Sequence, residues 1–228
     1  MKITYIYHSG FAVDLEDCVL IFDYSGGRLP HIAENRKVFV FASHRHGDHF
    51  QDVIFEWKDR YPGIRYILSE DIPADRAPDR IFLGPDQECD VGGIRIKTLR
   101  STDEGVAFFV SVRTASSIRH IYHAGDLNWW HWEEESDAWN REMARAYQLA
   151  LEPIADSHID AAFVPVDPRL GEAYYWGLDW FMRHTATDLV FPMHMWGSYE
   201  ILDRLFQQPE TEAYRENIVR LREEDECR

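Results

Sequence analysis

Six consecutive residues, His44-Arg45-His46-Gly47-Asp48-His49, restrict this chain more than any other feature. Three imidazoles and a carboxylate sit behind the apolar run Lys37-Val38-Phe39-Val40-Phe41 and ahead of residues 50–60, which read as a helix. A loop at the end of a buried strand can aim all four side chains into one cleft. Imidazole nitrogen with carboxylate oxygen suits borderline divalent ions, zinc foremost. His44 and His46 are two apart and share one face of an extended segment. Asp48 and His49 follow the turn and reach a neighbouring position. That geometry favours two adjacent ions over one.

Four other apolar runs end in potential ligands: Leu20-Ile21-Phe22-Asp23, the stretch from Leu99 to Gly105, Tyr122-His123-Ala124-Gly125-Asp126, and Phe191-Pro192-Met193-His194. Sites assembled from strand ends keep their geometry because the sheet holds the loops still. The first half reads as strands over residues 3–7, 11–15 and 18–22 in a meander, then 37–41, 64–68, 81–83, 88–91, 94–99, 106–112 and 118–123. The second half mixes helices (137–154, 172–183, 199–206) with strands at 159–166 and 188–191. The composition shows no break, linker or repeat. The expectation is an α/β (α+β) protein, one sandwich-like domain over residues 1–228 with helices outside its sheets.

A net charge of −16 without a basic stripe argues against a general nucleic-acid binder. A small phosphorylated substrate stays open, because bound cations reverse the local field. Part of the acidity falls in Arg222-Glu223-Glu224-Asp225-Glu226, read as a solvated tail. Cys18, Cys89 and Cys227 are odd in number and widely spaced, which fits a reducing compartment. No stretch approaches the length of a membrane span, and the N-terminus alternates like a strand and lacks the core of a signal peptide. The expected location is cytoplasmic, with no membrane partner.

The ordered motifs resemble the metallo-β-lactamase superfamily of metal-dependent hydrolases over nearly the whole chain. His44 to His49 matches its H-x-H-x-D-H signature, and Asp23, Gly125-Asp126 and His194 follow in the family's order. The resemblance implies a four-layer αββα sandwich with a metal cleft at one edge of two sheets. It implies that His44 and His46 hold a first ion, and that Asp48, His49 and His194 hold a second. Asp126 would bridge both, and Asp23 would orient a ligand by accepting a hydrogen bond. The cofactors expected are two divalent ions, zinc first, with manganese or iron as alternatives. The family usually supplies a third histidine to the first ion, where this chain has Ser101-Thr102-Asp103-Glu104-Gly105. Asp103 is the expected substitute; otherwise water, His8 or His123 completes that site, or the site is weak.

His8 and His123 each follow an apolar strand. Each either contacts substrate or shuttles protons, or is a hydrogen-bonded structural residue. Indoles in Leu127-Asn128-Trp129-Trp130-His131-Trp132, Trp129 first, either line the cleft or seat the next helix. Arg169 either holds a substrate carboxylate or phosphate or pairs with Asp167. The expected activity is hydrolysis of a small molecule by metal-activated water, with Asp126 positioning the nucleophile and Asp48 available as base. The fold does not choose among phosphodiester, lactone, ester and amide. A metal- or ligand-binding protein with reduced or lost catalysis is the alternative. A di-iron redox protein is a weaker third, since such proteins add a flavin domain. A homo-oligomer stays open.

Overall fold

The structure, a computed structural model, describes residues 1–222. Residues 223–226 of the acidic run, and Cys227, lie outside the described residues. The strands β1 (Lys2–Tyr7), β2 (Gly10–Asp14) and β3 (Cys18–Phe22) form the expected antiparallel meander. After it, β4 (Lys37–Ala42), β5 (Arg65–Ser69) and β6 (Arg80–Leu83) add in parallel, completing a six-stranded sheet in chain order.

A second six-stranded sheet holds β7 (Glu88–Val91), β8 (Ile94–Arg100), β9 (Val106–Arg113) and β10 (Ile118–His123) as antiparallel neighbours. Two parallel strands, β12 (Ala161–Pro165) and β14 (Val190–Met193), extend it beyond β10. The short strands β11 (His158–Ile159) and β13 (Ala186–Thr187) pair separately. The strand expected over 159–166 is therefore split at Asp160. That buried carboxylate accepts from the His120 backbone N–H at 2.7 Å and pairs with Arg119, which draws the chain out of register.

Side-chain alternation explains the layers. On β3, Cys18, Leu20 and Phe22 enter the core between the sheets, while Val19 and Ile21 enter a second core on the outer face. On β4, Phe39 and Phe41 face inward, and Val38, Val40 and Ala42 face outward. A strand covered on both faces reads as an unbroken apolar run, as both do. Between the sheets Phe11 stacks on Phe163 at 4.2 Å and Phe22 on Phe41 at 4.6 Å. Each ring so buried contributes about 1.5–3 kcal/mol relative to exposure.

The outer face of the first sheet is covered by residues Asp52–Asp59, expected as part of an α-helix but formed as a 3-10 helix. It has no side-chain cap and buries only Ile54, too little to hold a longer regular helix. The second sheet is covered by α1 (Asp137–Leu151), α2 (Trp176–His184) and α3 (Ile201–Gln207). Ser136 caps α1 by accepting from the Trp139 N–H at 3.2 Å. The helix expected from residue 172 begins at Trp176, because Gly171 at φ 58° breaks the preceding turn. The order is helix, sheet, sheet, helix. Among the described residues no helix is long and apolar enough to cross a membrane.

Candidate metal centre

The strands β1, β3, β4, β10, β12 and β14 all deliver their C-terminal ends to one edge of the sandwich. Cross-sheet hydrogen bonds fix the closure. The His194 N–H donates to the His8 carbonyl at 3.3 Å, and the Val106 N–H to the Ser43 carbonyl at 2.9 Å. Gly105, at φ 70°, lets the 101–105 loop press onto β4; a Cβ there would lie 1.9 Å from the Ser43 oxygen. His8, Asp23 and His194, each just after a strand, take φ values of 52°, 42° and 64°. Non-glycine residues in this region carry strain that the surrounding structure must hold in place.

Two groups of donor atoms result. His44, His46 and Asp126 form one; His8, Asp48, His49 and His194 form the other. His44 Nε2 and His46 Nδ1 are 3.0 Å apart. Asp126 stands between the groups. Its Oδ2 lies 3.5 Å from His44 Nε2, while its Oδ1 lies 3.2 Å from His49 Nε2 and 3.4 Å from His194 Nε2. In the second group Asp48 Oδ2 lies 3.4 Å from His8 Nε2 and 3.8 Å from His49 Nε2.

Hydrogen bonds behind the donors set which ring nitrogens face the centre. Asp23, fully buried, accepts from the Ser43 N–H at 2.8 Å, the Ser43 hydroxyl at 2.6 Å and His49 Nδ1 at 2.7 Å. With its proton committed to Asp23, the Ser43 hydroxyl can only accept from His44 Nδ1, 3.0 Å away. His44 therefore presents Nε2 as a lone pair. Asp167 accepts from His194 Nδ1 at 2.9 Å and turns its Nε2 the same way. Glu104 Oε2 lies 3.5 Å from the outer nitrogen of His46.

The electrostatics favour a cation. Asp23, Asp126 and Asp167 are buried beside the half-buried Asp48. Burial opposes charge on His49, yet the Asp126 and Asp23 carboxylates outweigh it and raise the ring to about 10. Burial, with repulsion from His49, holds His44 down to about 4. Burial also lowers His8. Burial works against the charged forms of Asp126 and Asp48, but the histidines facing them hold both well below the ordinary carboxylate range. Four buried atoms, His8 Nε2, His49 Nε2, His194 Nε2 and Asp126 Oδ1, have no hydrogen-bond partner. Orphaned atoms of this kind are costly; all four face the second group, where one divalent ion would satisfy them. The donor set thus fits the implied metals.

The chain has the metallo-β-lactamase fold. It aligns over 99% of its length with 96% of Igni18, a metallo hydrolase from Ignicoccus hospitalis, at TM-score 0.60 and 18% identity. The metallo-β-lactamase fold protein YhfI from Bacillus subtilis aligns over 99% of this chain and 97% of its own, at 0.59 and 13%. The diiron β-hydroxylase CmlA from Streptomyces venezuelae aligns over 85% of this chain and 44% of its own, at 0.54 and 14%. No family model and no curated protein sequence matches the chain. The metallo-β-lactamase fold thus carries hydrolase and hydroxylase alike, and chooses neither metal nor bond.

Within this fold the expected ligands His44, His46, Asp48, His49, Asp126 and His194 converge, and Asp23 stands behind them. Two expectations change, for His8 and Asp103, and two open alternatives resolve, for His123 and Trp129. His8 joins the second group and does not complete the first. Asp103 belongs to neither group; its side chain is largely open to solvent, and partial desolvation together with the Asp126 carboxylate raises its pKa. His123 is fully buried, with Nε2 donating to the Ser9 carbonyl at 2.8 Å and Nδ1 accepting from the Gly125 N–H. It is stacked on Phe22 and braces the turn that presents Asp126. Trp129 turns away to pack on Trp176 and Tyr147. Trp130 takes the place expected of it, its ring 5.7 Å from His194 and its N–H on the Asp126 carbonyl at 3.0 Å. Arg169 pairs with Asp167 and also lines the cavity beside Asp126. Ser43 carried no signal in the sequence, and Asp167 only that of a partner for Arg169, because the Asp23 that Ser43 serves and the His194 that Asp167 orients lie 20 and 27 residues away.

Proposed function

We propose that this protein is a metal-dependent hydrolase that holds two divalent ions and acts on a small molecule. The observation that carries the reading is Asp126, whose two oxygens address separate histidine groups. His44, His46 and Asp126 would hold one ion; His8, Asp48, His49 and His194, with the other Asp126 oxygen, the second. Imidazole and carboxylate donors suit zinc, manganese or iron. Ions so held supply Lewis-acid activation of water and stabilise charge on the attacked group.

The chain's own residues do the rest. Asp23 and Asp167 fix ring orientation, Asp126 positions the nucleophile, and the half-exposed Asp48 is placed to take its proton. Trp130 shields the centre from bulk water on its side. The first group offers three donors among the described residues, which favours a second reading, a metal-binding protein without turnover. Phosphodiester, lactone, ester and amide substrates, assayed with zinc, manganese and iron, separate the two. Metal-dependent turnover abolished by His46→Ala supports hydrolysis; metal binding without turnover on any substrate supports the second reading.

A further inference from the structure

A cavity of about 220 Å³ opens beside Asp126. Trp130, Trp132, Trp139 and Met143 line it as apolar wall, and Arg169 supplies its cation. Thr102 and Asp103 also line it. The Trp130 and Trp132 rings are parallel within 5°, with centroids 6.1 Å apart. The volume exceeds the ~150 Å³ that accommodates benzene and falls below the ~300–1,000 Å³ of sites for drug-sized ligands. It therefore suits one ring or a short aliphatic arm.

Arg169 is pre-set for an anion. Its Nε donates to both Asp167 oxygens, at 3.0 and 2.9 Å, and its Nη2 donates to the same carboxylate. The group has five N–H donors, so both on Nη1 and one on Nη2 remain for an end-on fork. No hydrogen bond engages Nη1 among the described residues. The guanidinium rests 4.7 Å from the Trp196 ring centroid and 5.7 Å from that of Trp132, and its side chain is 48% exposed. It is thus rigid, charged and open on one edge. Asp126 lines the same cavity, so the guanidinium stands beside the donor groups.

We propose that this cavity recognises a small organic oxyanion carrying one ring-sized apolar arm. The arm lies against Trp130, Trp132 and Met143, and the anion sits on the Nη1/Nη2 edge of Arg169. Asp103, also in the lining, repels the anion and so steers it toward the guanidinium. The inference deepens the hydrolase reading and rests on it for the role of this ligand as substrate.

Calorimetric titration of the zinc-loaded protein with phenylacetate, phenylphosphonate, phenylacetamide and acetate tests the proposal. Either aryl oxyanion should bind about tenfold or more tightly than both the amide and acetate, as a charge-assisted fork of about 1.5–3 kcal/mol requires. The ratio of phosphonate to carboxylate identifies the preferred oxyanion. Arg169→Met, compared at equal metal content by elemental analysis, should abolish the advantage over the amide. Trp132→Leu should weaken phenylacetate and leave acetate unaffected. Should Arg169→Met fail to fold, Arg169→Lys keeps the charge, loses the fork and should lose most of the advantage. An amide that binds as tightly as phenylacetate, or an advantage that survives loss of the guanidinium, overturns the proposal. Binding is read without turnover, so an inactive protein that keeps the preference refutes hydrolysis alone, and an active one without it refutes this subsite alone.

Discussion

Asp167 accepts the Nδ1 proton of His194 at 2.9 Å, and the same carboxylate is clasped by Arg169. Burial opposes its charge, but these two bonds hold its pKa down to about 2. One side chain thus orients a donor of the second group and the cation that faces the cavity.

Asp167→Asn keeps the size of the side chain and removes its charge. The amide can still accept from His194 through its oxygen, but more weakly. Zinc affinity should fall on the order of 10–100-fold, the usual effect of losing a ligand's outer partner. Competition with a chromophoric chelator measures it; unchanged affinity would show that His194 is oriented by packing.

Asp126→Ala should remove more metal than Asp103→Ala. The first deletes both oxygens that face the donor groups, and the second deletes a carboxylate outside them. Elemental analysis of the two purified variants is decisive. Equal loss would promote Asp103 to a ligand.

His8→Asn should deplete the second ion selectively. Asparagine tolerates the positive φ of this position better than most residues, so the turn should survive. The removed imidazole is one of four donors in its group. On the proposal of two ions per chain, this variant should hold about one. Retention of both would return His8 to a purely packing role against His194 and Trp196.

Gly105→Ala should destabilise the protein by more than about 2 kcal/mol, because the new Cβ meets the Ser43 carbonyl and the Cβ of His44. A urea midpoint shift reads it. The same variant should lose metal, since the loop can yield only by moving β4's end.

Asp160→Asn supplies a pH test remote from the centre. Burial opposes the Asp160 carboxylate, but the His120 N–H and Arg119 lower its pKa. A depressed carboxylate stabilises the fold at pH above its unfolded value of about 3.9, and that gain fades as pH falls through the folded value. The cost of the substitution should be about 1–3 kcal/mol at pH 7 and shrink by pH 3. Urea midpoints at pH 7, 5 and 3 test the trend; a constant difference would contradict it.

The sequence alone determined the strand-rich first half, the sandwich class and most of the donors, because strand alternation and the crowding of His44 to His49 are local patterns. It also marked Asp23, Asp126 and His194, each directly after an apolar run. The tertiary structure decided which donors stand together. His8 joins His194 because β1 and β14 meet across the sandwich edge, a pairing of residues 186 positions apart that no local period encodes. It chose Trp130 over Trp129 through one indole bond to the Asp126 carbonyl, and it placed Ser43 and Asp167 behind the rings. Hydrogen bonds between strand ends depend on how two sheets close on each other, and closure is set by the whole core.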